Sequence, residues 1–158
     1  MAASAPARGS RPGGRKVFAV DANCLVATVA AWHEHHQAVT RELSRRLTAG
    51  EEMVVPVPSL AEAFSVLTRM PKPQRLSPVD AWRSLDASFV ALGRIYALDG
   101  AAATALIARS ASAGVGGGRI YDVIIGECAR LSGARALVTL NPRHFEPAPE
   151  GVAIIDPG

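Results

Sequence analysis

The sequence predicts an α/β fold, a parallel sheet of about five strands packed between two layers of helices. Three observations lead there. Short β-favouring apolar runs recur along the chain, and segments with helical spacing separate them. The runs are apolar throughout rather than alternating, as expected of strands covered on both faces. A chain of 158 residues buries roughly 70% of its unfolded surface, enough for one core without staples.

Val17-Phe18-Ala19-Val20 is the first strand, ending at Asp21, and the small apolar residues 24–31 suit a helix. Val39, Leu43 and Leu47 recur every four residues, so a second helix spans about 38–47, with Gly50 as its stop. Met53-Val54-Val55 is the second strand, punctuated by Pro56 and Pro58. Ser59-x-x-Glu62 reads as a capping box opening a helix that Pro71 and Pro73 close. Ser77-Pro78 opens another, with Val79, Trp82, Leu85 and Phe89 along one face. Residues 94–98 form the third strand, and Asp99 caps an alanine-rich helix to about Ser112. A loop over Gly114 to Gly118 leads to a helix over about 120–131. The fourth and fifth strands follow at 136–140 and 152–155.

Composition narrows the function. Hydrophobic residues make up 49% and charged residues 20%, a globular balance. Two cysteines, Cys24 and Cys128, exclude a disulfide scaffold or a four-thiolate zinc site and read as packed hydrophobes. There is no secretory pattern and no membrane-length apolar run, so a cytoplasmic domain is expected. Residues 1–16 hold Arg8, Arg11, Arg15 and Lys16 without an acid, and so account for the whole +3 formal charge. They read as a disordered basic tail before a domain over 17–158. The domain itself is not a broadly basic nucleic-acid binder, so any RNA chemistry needs local patches and a metal.

In a parallel sheet, ligands bind beyond the carboxyl ends of the strands. Asp21 directly follows strand one, Glu62 opens the helix after strand two, and Asn141 follows strand four. Asp122 can reach the same crevice from the start of its helix. Each has a plain local role as cap, dipole partner or turn former. Together they change meaning. Two carboxylates ~5 Å apart repel by about 3 kcal/mol at an effective dielectric of ~20. A divalent cation relieves that repulsion, and an all-oxygen donor set selects Mg²⁺ or Mn²⁺. Thr139 and Asn23 are candidate supporting groups, and Arg119, Arg143 or the basic tail candidate phosphate contacts.

Val-Asp-Ala-Asn-Cys-Leu-Val at 20–26, Ser59-Leu60-Ala61-Glu62, Arg119-Ile120-Tyr121-Asp122 and Thr139-x-Asn141-x-x-x-Phe145 occur in this order. The set resembles the PIN-domain ribonucleases, and more closely the VapC toxins of VapBC toxin–antitoxin modules. The resemblance covers residues 17–155. It implies strand order 3-2-1-4-5, an acidic Mg²⁺/Mn²⁺ pocket and hydrolysis of RNA phosphodiesters. It implies Asp21, Glu62 and Asp122 as acidic metal ligands, with Asn141 at the fourth position supplying a neutral oxygen. A VapB-like antitoxin, a homodimer and a structured RNA substrate such as tRNA or rRNA come with it.

Other features carry less. His33-Glu34-His35-His36 invites zinc but has no distant third ligand, so it reads as a helix start or loop that reaches at most the pocket rim. The glycine run lacks the spacing of a P-loop. Glu127 lies about 140° around its helix from Asp122 and should face away. Phe64, Trp82 and Phe89 read as core or interface. A receiver-like phosphoacceptor would need a lysine after a late strand, and the only lysines are Lys16 and Lys72. A non-catalytic PIN-like RNA-binding or scaffold protein would show gaps in the acidic set, which here is filled.

Overall fold

The computed structural model describes residues 14–158. Most of the expected basic tail lies outside the described residues.

The sheet grows around β1 (Val17–Val20), whose Phe18, Ala19 and Val20 are fully buried. β2 (Glu52–Pro56) and β4 (Ala136–Val138) flank it, both in parallel. β3 (Arg94–Tyr96) and β5 (Ala153–Ile155) close the two edges. The order is therefore β3-β2-β1-β4-β5, all parallel, as the resemblance implied. The edge strands are short, only three residues each, and less buried than the centre.

Alternation along each strand divides the core into two layers. Phe18, Val20, Met53, Val55 and Val138 point to one face. That face carries α1 (Ala22–Val29), α2 (His36–Thr48), α3 (Val57–Arg69) and α4 (Pro78–Leu85). Ala19, Val54 and Leu137 point to the other face, against Ile125 and Ala129 of α6 (Arg119–Leu131). α5 (Gly100–Ser112) packs beside α6 and is capped by Asp99, whose Oδ1 accepts from the Ala102 amide at 2.7 Å.

Two local expectations fail, and both failures have a physical reason. α3 begins at Val57 rather than at Ser59, with Pro58 in its first turn. A proline there loses no hydrogen bond, because the first amides of a helix have no partner inside it. Ser59 thus lies inside the helix, fully buried and with its Oγ unpartnered, so no capping box with Glu62 forms. In α4 the buried row is Ala81, Leu85 and Phe89, while Val79 and Trp82 are 58% and 47% exposed. Ala81 and Leu85 share one core cluster with Ala63 and Leu67 of α3, and a wide turn over Asp86–Val90 continues the same row to Phe89.

Candidate active site

β1 delivers Asp21 to the carboxyl edge of the sheet. Its backbone amide extends the ladder to the Val138 carbonyl at 3.0 Å. Its carboxylate caps α1, with Oδ1 accepting from the Ala22 amide at 2.7 Å. The capping role is therefore real, and it leaves the rest of the carboxylate available. Thr139, fully buried just past β4, donates its hydroxyl to Asp21 Oδ2 at 2.7 Å. The same hydroxyl accepts from the Asn141 amide at 3.0 Å and from Asn23 Nδ2 at 3.3 Å. Asn23 Oδ1 in turn accepts from the Leu140 amide at 3.1 Å. Asn23 and Thr139 thus lock the ends of β1 and β4 together and aim the Asp21 carboxylate.

Asp21, Asn23, Glu62, Asp122 and Asn141 all line one cleft of about 1060 Å³. α3 contributes Pro58, Ala61 and Ser65 beside Glu62, and α6 contributes Arg119, Tyr121 and Ile124 beside Asp122. Arg143 and His144 come from the single 3-10 turn Pro142–Phe145 after β4. Gly126 lets the chain from Phe145 to Pro149 sit tightly on α6: a Cβ there would stand 2.9 Å from Pro149 Cγ and 3.7 Å from the Phe145 ring. This close fit brings His144 Nδ1 within 3.5 Å of Asp122 Oδ2.

The electrostatics reflect the gathering of acids. Burial pushes the Asp21 carboxyl up to about 6, against the opposing hydrogen bonds from Thr139 and Ala22. The negative charges of Glu62 and Asp122 push it in the same direction as burial. Burial also raises Asp122, opposed by His144 and Arg119.

The donors in the cleft are carboxylate, amide and hydroxyl oxygens, which suit a hard cation. Among the described residues, no three His, Cys, Asp or Glu side chains are gathered into a ready-made cage. Mg²⁺ does not require one, because it keeps several waters and takes only one or two carboxylates. Both Asp21 oxygens retain a free acceptor direction beyond their single protein hydrogen bond. The residues present therefore fit such an ion.

The structure brings together all four acidic or amide positions and both arginines picked from the sequence. His144 and Tyr121 were missed, although both stand inside motifs quoted above. The contact from His144 to Asp122 spans two elements, and nothing in the local pattern announces it. The histidine cluster is not part of the cleft. His36 Nδ1 bonds the Ala27 carbonyl at 2.8 Å and His33 Nδ1 accepts from the His35 amide at 3.1 Å, which shapes the α1–α2 connection. Glu127 faces away, paired with Arg130 and Arg109. Both cysteines are free and buried.

The PIN domain family model matches residues 18–149. Ribonuclease VapC40 of Mycobacterium tuberculosis is 35% identical over 121 residues, covering 77% of this chain and 84% of the relative. The chain belongs to the PIN-domain family, among the VapC ribonucleases. Ribonuclease VapC27 of the same organism is 36% identical over a shorter 74 residues, 47% of this chain and 50% of the relative. The PIN fold recurs in solved structures. The Rickettsia felis VapBC2 complex bound to a promoter DNA fragment gives a TM-score of 0.63 at 17% identity, covering 89% of this chain and 98% of that one. DNA-bound VapBC from Salmonella typhimurium gives 0.62 at 24% identity, covering 90% and 99%. Asp21, Glu62, Asp122 and Asn141 all lie inside the matched stretch, and no helix among the described residues is long and apolar enough to cross a membrane.

Proposed function

We propose that this PIN domain is a Mg²⁺- or Mn²⁺-dependent endoribonuclease, the toxin of a type II toxin–antitoxin pair that cuts structured RNA, tRNA or rRNA, to stop translation. One observation carries the reading. A nearly buried carboxylate, Asp21, shares a cleft with Glu62 and Asp122, and their charges raise the cost of ionising it. His144 and Arg119 offset charge at Asp122, whereas the groups acting on the Asp21 carboxylate include no cation. A fold that keeps such repulsion reserves the position for a positive ligand.

Asp21 and Asp122 are the primary metal ligands in this reading, with Asn141 offering a neutral oxygen. Glu62 is exposed and uncommitted to any cap, so it completes the ligand set directly or through water, or orients the attacking water. When bound, the cation supplies Lewis acidity at the scissile phosphate and stabilises the leaving oxygen. Thr139 and Asn23 hold Asp21 in its orientation, and His144, 3.5 Å from Asp122 Oδ2, offsets its charge. Arg119 and Arg143 draw the phosphate backbone into an otherwise acidic cleft. Family membership adds a VapB-like antitoxin and a homodimer, in keeping with the VapBC complexes that share the fold.

The test is cleavage of a mixed cellular RNA pool with Mg²⁺ or Mn²⁺, with and without EDTA, beside Asp21→Asn and Asp122→Asn. Metal-dependent cleavage lost in both variants is expected. Equal cleavage by wild type and variants, or none by wild type, overturns the reading and favours a non-catalytic RNA-binding role.

A further inference from the structure

Beside its carboxylates the cleft is lined by Tyr121, Arg143 and His144. Tyr121 directly precedes Asp122 and is 63% exposed, the most exposed large hydrophobic side chain among the described residues. Among those residues, the aromatic pairs involve only Trp32, His33 and His35, and the one cation–π contact is Arg46 over Phe18. Among the described residues, the Tyr121 ring therefore pairs with no other aromatic ring and no cation. A broad apolar ring left open in a cleft that also holds charged side chains suits a flat partner.

We propose that Tyr121, flanked by Arg143 and His144, forms a nucleobase subsite that stacks one unpaired RNA base beside the scissile phosphate. The proposal rests on the ribonuclease reading and deepens it by naming what the cleft grips. Every base offers a π face, so a tyrosine platform holds any of them without reading its edge. A base inside a duplex has both faces occupied, so the subsite selects nucleotides in loops, bulges or ends. Arg143 is exposed and in no ion pair among the described residues, free to meet the adjoining phosphate or to stack its own guanidinium plane. Pro58 and Ala61 of α3 and Ile124, one helical turn after Tyr121, add apolar lining. The carboxylates repel the RNA backbone, which makes a contact through the uncharged base face the favourable way to hold a nucleotide there.

The experiment measures binding separately from cleavage. A short fluorescein-labelled single-stranded RNA is titrated by anisotropy with full-length protein carrying Asp21→Asn, alone and combined with Tyr121→Ala or Tyr121→Phe. Stacking predicts roughly tenfold weaker binding for Tyr121→Ala and little change for Tyr121→Phe, which keeps the ring. Stepping a single abasic ribose along the RNA should locate one position where the loss already exists and Tyr121→Ala adds nothing. Fully duplexed RNA should bind weakly and be indifferent to the substitution. RNA binding unchanged by Tyr121→Ala, or weakened equally with the abasic probe at every position, overturns the subsite while leaving the ribonuclease reading standing. No RNA binding by the parent protein overturns both. A shift in sedimentation of Tyr121→Ala to a smaller species would assign the ring to a subunit contact instead, and also overturns it.

Discussion

Two charged clusters in this molecule are built on opposite plans. On α2, Arg46 is only 8% exposed, yet its Nε donates to Glu42 at 2.7 Å and its Nη1 to Glu51 at 2.9 Å. Arg45 donates to Glu42 as well, and the Arg46 guanidinium lies 5.3 Å from the centre of the Phe18 ring. Two cations and two anions neutralise each other there, and the hydrogen bond from Arg45 leads in holding Glu42 below the usual carboxylate range. At the carboxyl edge of the sheet, Asp21 goes the other way, pushed up to about 6 by burial and by its acidic neighbours. A charge the chain satisfies with its own partners is structural; a charge it buries among like charges is held for something else.

That contrast can be broken or sharpened by substitution. The largest effect is expected at the acidic cluster: Asp21→Asn or Asp122→Asn should lower RNA cleavage on the order of a thousand-fold. Asp21→Asn should show no loss of Tm in thermal denaturation, because it removes a carboxylate disfavoured by burial and by its acidic neighbours. Arg46→Met should do the reverse, costing about 3 kcal/mol in urea unfolding by stranding Glu42 and Glu51, with cleavage per folded molecule unchanged. Thr139→Val probes the hinge between the two behaviours. It leaves Asp21 and the Asn141 amide short of a partner, so cleavage should fall about 10- to 100-fold and stability by about 1–3 kcal/mol.

A smaller effect is expected from pH. The Glu42 carboxyl titrates lower in the folded protein than in the unfolded chain, so its stabilisation is fully present above its unfolded value of 4.5. That stabilisation disappears as pH falls through the lower folded value. Thermal scans from neutral pH into the acid range should show this fall, and Glu42→Gln should flatten it. Smallest of all, Glu127→Gln weakens the pairs with the more exposed Arg130 and Arg109 and should change stability by about 1 kcal/mol or less, with cleavage unaffected.

Much of the fold was legible because it rests on local chemistry. The three central strands are apolar runs that can only be buried, and Asp99, Ser77 and Asp21 each sit where a helix start needs an oxygen. The α4 face was misjudged because a helical stripe read by size favours Trp82, whereas close packing on α3 selected the row through Ala81. The site was legible as a list of residues at strand ends. The sequence left Glu62 equally suited to cap its own helix, and only the earlier start of α3 at Val57 freed its carboxylate. His144 beside Asp122 and the open ring of Tyr121 left no mark in the spacing at all.

By itself, then, the sequence determined the layered parallel architecture and the candidate acids, since apolar periodicity and helix capping act over a few residues. The tertiary structure decided which oxygens face one another, because Asp21 and Thr139, 118 residues apart, meet only when β1 and β4 pair. Repulsion, burial and the meaning of a carboxylate depend on distance through space, which no stretch of neighbouring residues records.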